Sequence, residues 1–115
     1  MWYIRNRWNK YRNEKTTRDG IVFDSKKEAR RYSQLKALES AGKIYELERQ
    51  VHFELIPNQR TSKELLRKCE YVADFTYKDE EGNYIVEDTK GFRTDVYKIK
   101  KKLMYYFHNI EIKEV

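Results

Sequence analysis

The chain has 115 residues, with 25 Lys and Arg against 19 Asp and Glu and a net charge of +6. That length bounds it to one domain with a modest core, and the balance favours a polyanionic partner. A single cysteine, Cys69, excludes an internal disulfide framework and a cysteine-built zinc site. No apolar run reaches the roughly 18 to 20 residues of a membrane span, and the basic N-terminus lacks the apolar stretch of a signal peptide, so a soluble cytoplasmic protein with no membrane partner is expected.

Residues 1–18 read as a basic arm in which Trp2, Tyr3, Trp8 and Tyr11 alternate with Arg5, Arg7, Lys10 and Arg12. Cations interleaved with rings suit a phosphate backbone with exposed bases, so these four basic residues are candidate nucleic-acid contacts; an ordinary terminus is the rival reading. Residues 19–115 form the single folded domain. Asp19-Gly20 is a turn signal ahead of a short strand, Ile21-Val22-Phe23. Ser25 followed by Glu28 is a capping-box pattern that opens a helix over 26–41, with Ala29, Tyr32, Leu35 and Leu38 at helical spacing and Gly42 as the stop.

Residues 43–56 alternate well enough for one or two strands, with Ile44, Leu47, Val51, Phe53 and Leu55 as core positions, and Asn58 to Lys63 reads as a loop. Residues 70–77 and 84–90 form an antiparallel hairpin about the turn-rich stretch Asp79-Glu80-Glu81-Gly82-Asn83. Thr94 or Asp95 caps a second helix, whose apolar stripe is Val96, Ile99, Leu103 and Tyr106 and whose Lys98, Lys101 and Lys102 turn outward as further candidate phosphate contacts. Alternation from Ile110 to Val115 predicts a closing strand. The order, helix, strands, helix, strand, describes a mixed α/β sandwich with a helical crossover.

The hairpin carries the chemistry. With its turn centred on Glu81, Asp74 falls opposite Asp88, and period-two alternation sends Asp74, Asp88 and Lys90 to one face. Like charges opposed in a ladder are destabilising, which points to a cation between them. Two carboxylates able to hold Mg²⁺, with an ammonium beside them, are the minimum set for phosphodiester hydrolysis.

An Asp in one strand, a D/E-x-K in the next and a Glu on a preceding helix together resemble the PD-(D/E)xK nuclease superfamily. The ordered runs Phe23 to Ala29, Gly42-Lys43-Ile44 with Gln50, Tyr71 to Phe75, and Val86 to Gly91 followed by Thr94, Tyr97 and Lys100 more closely resemble a family of small phage and prophage endonucleases proposed to be Holliday-junction resolvases. The resemblance spans about residues 17–115 and implies a restriction-endonuclease-like fold, with a mixed central sheet flanked by helices. It implies that Asp74, Asp88 and the Thr89 carbonyl ligate Mg²⁺ or Mn²⁺, that Lys90 is the catalytic lysine, and that Glu28 reaches the metal directly or through water. It further implies branched DNA as substrate, a homodimer, and a bacterial or phage-infected host cell. The motif's proline before the first Asp is replaced by Ala73.

Each residue has a plainer role available. Glu28 is explained by the capping box alone, Asp74 and Asp88 by an open sheet face, Lys90 by an ordinary surface, and Glu87 replaces Asp88 opposite Asp74 if the turn slips by half a residue. His52 and His108 fall in no metal-binding pattern and read as structural. The rival to a nuclease is a non-catalytic basic accessory protein that binds DNA or RNA through the arm and the lysine helix.

Overall fold

The computed structural model describes residues 15–115. Arg5, Arg7, Lys10 and Arg12 of the basic arm lie outside the described residues. The end of the arm, β1 (Thr16–Arg18), pairs with β2 (Ile21–Phe23). Asp19 and Gly20 between them both take positive φ, 52° and 76°, as a two-residue turn with right-handed strand twist requires.

Helix α1 (Lys26–Ser40) begins where the Ser25 side chain accepts the Glu28 N–H at 3.1 Å. It buries Glu28, Ala29, Tyr32 and Leu35, while Leu38 stays half-exposed. Gly42 ends it at φ +75°. One long strand, β3 (Tyr45–Ile56), follows. The expected loop after it contains a small ladder, β4 (Gln59–Arg60) with β5 (Leu65–Leu66). Strands β6 (Cys69–Lys78) and β7 (Tyr84–Asp88) make the predicted hairpin. Its turn is held by Asp79, whose carboxylate accepts the Glu81 and Asn83 N–H groups at 2.9 Å each, with Gly82 at φ +84°. Helix α2 (Asp95–His108) starts on Thr94, which caps the Tyr97 N–H at 3.1 Å, and ends on left-handed Asn109. The closing strand, β8 (Lys113–Glu114), is shorter than the alternation suggests.

The main sheet runs β3-β6-β7-β8, antiparallel except for the parallel β7–β8 pair that the α2 crossover joins. The expected mixed α/β architecture is present, and the two helices cover opposite faces. Adjacent residues of β7 show this: Val86 packs with the cluster of Leu55, Tyr71, Tyr97, Met104 and Ile112, whereas Glu87 reaches through to Arg31 of α1. A second cluster under α1 holds Phe23, Ala29, Tyr32, Leu35, Ile44, Phe75 and Tyr77. No helix among the described residues is long and apolar enough to cross a membrane.

Helix α2 departs from the expected stripe. It buries Tyr97 and Met104, and leaves Val96, Ile99 and Tyr106 at 61%, 56% and 79% exposure with Leu103 half-buried. The helix has two apolar faces, and the crossover onto the sheet turns the other one inward.

Candidate active site

Between β6 and β7, Phe75 faces Glu87, Thr76 faces Val86 and Tyr77 faces Ile85. The ladder is therefore centred on residue 81, and one further step sets Asp74 opposite Asp88. The half-residue slip that would substitute Glu87 does not occur. Glu87 points to the α1 face, where it accepts a bidentate pair of hydrogen bonds from Arg31 at 2.7 Å each and another from the Tyr77 hydroxyl.

Simple alternation does not account for the site, because the pleat changes phase there. Tyr71 and Ala73 of β6 belong to the α2 cluster, yet Phe75 and Tyr77, of the same parity, belong to the α1 cluster. Strand β3 switches in step: Leu47 packs with the α1 cluster, Phe53 and Leu55 with the α2 cluster. The switch falls at Gln50, whose φ is +52°, and the register that pairs Arg49 with Phe75 and Val51 with Ala73 sets Gln50 against Asp74. A left-handed glutamine inside a strand is a strained conformation, and such residues gather at functional sites. Its consequence is local: residues of both parities, from β3, β6 and β7, are delivered to one spot.

Asp74 accepts the Thr89 N–H at 2.9 Å and the Thr89 hydroxyl at 2.7 Å on the same oxygen. Asp88 accepts the Tyr71 hydroxyl at 2.7 Å and lies 3.1 Å from the Lys90 ammonium. Burial, reinforced by the adjacent Asp74 carboxylate, pushes Asp88 up to about 7 despite Tyr71 and Lys90. Strand β7 ends at Asp88, so Lys90 is not a strand residue as expected. Backbone bonds to Val115, from Lys90 N–H at 3.2 Å and to the Asp88 carbonyl at 3.0 Å, hold the segment in line with β8. The Lys90 ammonium also sits 4.1 Å from the Tyr97 ring centroid.

Glu28 forms half of a capping box. Its N–H bonds to Ser25, but its carboxylate turns away from the helix terminus, accepting from Gln50 at 3.3 Å and lying 3.9 Å from Arg49. Burial and then the Asp74 charge lift it to about 7. Glu28, Asp74, Asp88, Thr89 and Lys90 are thus brought together, and Gln50 joins them. Sequence reading missed Tyr71, Arg49, Tyr97 and Lys27. Lys27 donates to the Lys90 carbonyl at 2.9 Å and, with Arg30 and Gln34, borders a cleft of about 160 Å³ beside Thr89. Arg49 packs 4.5 Å from the Phe23 ring centroid, and its Nε is the buried side-chain polar atom among the described residues left without a hydrogen bond.

His52 and His108 lie elsewhere: His52 pairs with Glu70 at 3.5 Å, and His108 bonds the Glu54 carbonyl at 2.7 Å. Lys98, Lys101 and Lys102 are exposed on α2 as expected.

The donor chemistry suits a hard divalent cation. Asp74, Asp88 and the Thr89 carbonyl offer oxygen alone, and two carboxylates crowded in a buried place benefit from positive charge. Among the described residues no three His, Cys, Asp or Glu side chains form a cage. Mg²⁺ does not require one, since it keeps several waters and takes one or two carboxylates with substrate oxygens.

No curated protein and no solved structure matches this chain. A family model described as "Protein of unknown function (DUF1064)" matches residues 8–115, nearly the whole length, and the chain belongs to that family.

Proposed function

We propose that this protein is a cytoplasmic, Mg²⁺- or Mn²⁺-dependent DNA endonuclease with a restriction-endonuclease-like fold, cutting branched DNA such as a four-way junction. The observation that supports the chemistry most is the convergence of Asp74, Asp88 and Lys90 at the phase change of the sheet, with Lys90 3.1 Å from Asp88. The choice of branched DNA rests on the resemblance of the ordered motifs.

Asp74, Asp88 and the Thr89 carbonyl would hold the cation, which when bound supplies an activated water and neutralises charge on the phosphoryl group. The Tyr71 and Thr89 hydroxyls fix the two carboxylates by hydrogen bonds. Lys90 presents an ammonium to the oxygen charge that develops as the phosphodiester is attacked. Its approach to Asp88 and to the Tyr97 ring restrains it there. Glu28, lifted to about 7, is available to accept a proton near neutral pH. The accessory-protein reading leaves this arrangement without a role.

The test is cleavage of synthetic four-way and linear DNA with Mg²⁺ and with EDTA. Cation-dependent nicking is expected, falling about 10²-fold or more in Lys90→Ala. Equal cutting by wild type and Lys90→Ala would overturn the assignment.

A four-way junction must be cut on two strands, and one domain carries one site, so a two-fold homodimer follows from this reading. The exposed α2 residues Val96, Ile99 and Tyr106, with half-buried Leu103 between them, recur at three- and four-residue spacing, the pattern of a helix–helix seam, and would be covered by a second copy. Ile99→Glu should convert a dimer to a monomer by light scattering on a sizing column. A dimer of unchanged affinity would remove this seam from the interface.

A further inference from the structure

At about 100° per residue, α2 has three separate faces. Tyr97 and Met104 point to the core, and Val96, Ile99, Leu103 and Tyr106 form the apolar seam. Lys98, Lys101, Lys102 and Tyr105 share the third face, which with the C-terminal segment around Ile110 and Ile112 borders an open cleft of about 660 Å³. That volume is within the range of small-ligand sites, roughly 300 to 1,000 Å³.

The charged residues that line the cleft are Arg93, Lys98, Lys101, Lys102 and the carboxylate Glu111, four cations to one anion, and they are unequally engaged. Glu114 binds Arg93 at 2.6 Å, Tyr97 at 2.6 Å and Lys101 at 3.0 Å, and these donors, Arg93 first, hold it down to about 2. Arg93 and Lys101 therefore share the single negative charge of Glu114 and are held by it. Lys98 and Lys102 remain exposed at the rim, about two turns and one turn before Tyr105, which is 57% exposed. Two free cations beside an exposed ring and an apolar wall match a phosphate joined to a base. A bare phosphate would leave Tyr105 and the Ile110–Ile112 wall unused, and a duplex keeps its base faces stacked away from such a ring. Tyr97 lines this cavity and also packs under Lys90, so the groove begins at the wall of the candidate active site.

We propose that this groove binds an unpaired DNA strand, with phosphate on Lys98 and Lys102 and a base stacked on Tyr105; resting on the nuclease reading, it would receive the single strand that leaves the cutting site at a branch. The experiment is fluorescence anisotropy in EDTA, where no cutting occurs, with a labelled oligothymidylate and a blunt duplex, for wild type and for Tyr105→Ala, Tyr105→Phe and Lys98→Ala/Lys102→Ala. Tyr105→Ala should weaken single-strand binding about fivefold or more, Tyr105→Phe should restore it, and duplex binding should stay within about twofold. The double lysine variant should lower the salt slope for the single strand by about 0.7 per lysine.

Unchanged single-strand binding in Tyr105→Ala overturns the proposal, and so does an equal loss for single strand and duplex. The outcome is separable from the nuclease reading. Cleavage by a protein whose single-strand binding ignores Tyr105 removes the groove alone, and selective binding by a protein that never cuts removes the nuclease alone.

Discussion

Asp88→Asn is expected to move the proposed activity and the stability in opposite directions: on the nuclease reading cleavage falls at least about 10³-fold, while the metal-free protein melts at a higher temperature at pH 8. Asp88 and Glu28 are both raised to about 7, by burial first and by the Asp74 charge. The sign follows from linkage. A carboxyl whose folded pKa lies above its unfolded value binds its proton more tightly in the fold, so the associated stability is complete below about pH 4 and is lost as pH rises through about 7. At pH 8 the wild type carries the full penalty of ionising Asp88 next to Asp74. Asparagine resembles the neutral acid and keeps a partner for Tyr71, so it relieves that penalty by on the order of 1 kcal/mol, or several degrees in Tm. The variant should also show a shallower fall of Tm between pH 5 and pH 8, with Glu28 responsible for what remains. On the nuclease reading, Mg²⁺ raises the wild-type Tm more at pH 8 than at pH 6, and Asp88→Asn loses most of that increment. A variant that is both inactive and less stable at pH 8 would count against Asp88 as a strained ligand and favour an ordinary structural carboxylate.

The parts of this molecule legible from sequence are those encoded by adjacent residues. Ser25 and Thr94 cap their helices through side-chain bonds to N–H groups three residues on, and Asp79 to Asn83 close the turn that sets Asp74 against Asp88. What was not legible depends on residues distant in sequence. The phase change at Gln50 has no sequence signal, since glutamine is not a residue that favours positive φ. Because that change redirects the side chains around it, the Tyr71 bond to Asp88 could not be foreseen, and for Gln50 the sequence left an approach to the site and an ordinary strand face equally open. Helix α2 failed for a different reason. Its seam of Val96, Ile99, Leu103 and Tyr106 is as regular as the face of Tyr97 and Met104 that is buried, and periodicity alone does not choose between two apolar faces. Glu28 was legible as a cap and as a candidate site residue, and the two readings are compatible, since its N–H serves the cap while its carboxylate turns to Gln50.

Removing Arg31 should be among the most destabilising single changes in the domain. Glu87 is fully buried, and Arg31 supplies two of its hydrogen bonds at 2.7 Å, with the Tyr77 hydroxyl as the other side-chain donor. In Arg31→Ala the carboxylate stays in the α1 face of the sheet without its cation, a loss of about 3 to 5 kcal/mol, comparable to a large part of the stability of a small domain. Arg31→Lys keeps the charge but not the bidentate fork, so it should fall between wild type and alanine. Replacing both partners by apolar residues of similar volume, Arg31→Met with Glu87→Leu, should be far milder than Arg31→Ala, because no buried charge is then left unpaired. Urea unfolding of the four proteins measures all of these. The same series bears on the site, since the pair ties α1, which carries Glu28, to β7, which carries Asp88. The double apolar variant should therefore retain the wild-type fold and, on the nuclease reading, its cleavage pattern, whereas Arg31→Lys, nearer to wild type in chemistry, should be the less stable of the two. Unfolding of Arg31→Ala within about 0.5 kcal/mol of wild type would show that Glu87 has another way to be satisfied, and that α1 is held to the sheet by the Phe23, Leu35 and Phe75 cluster alone.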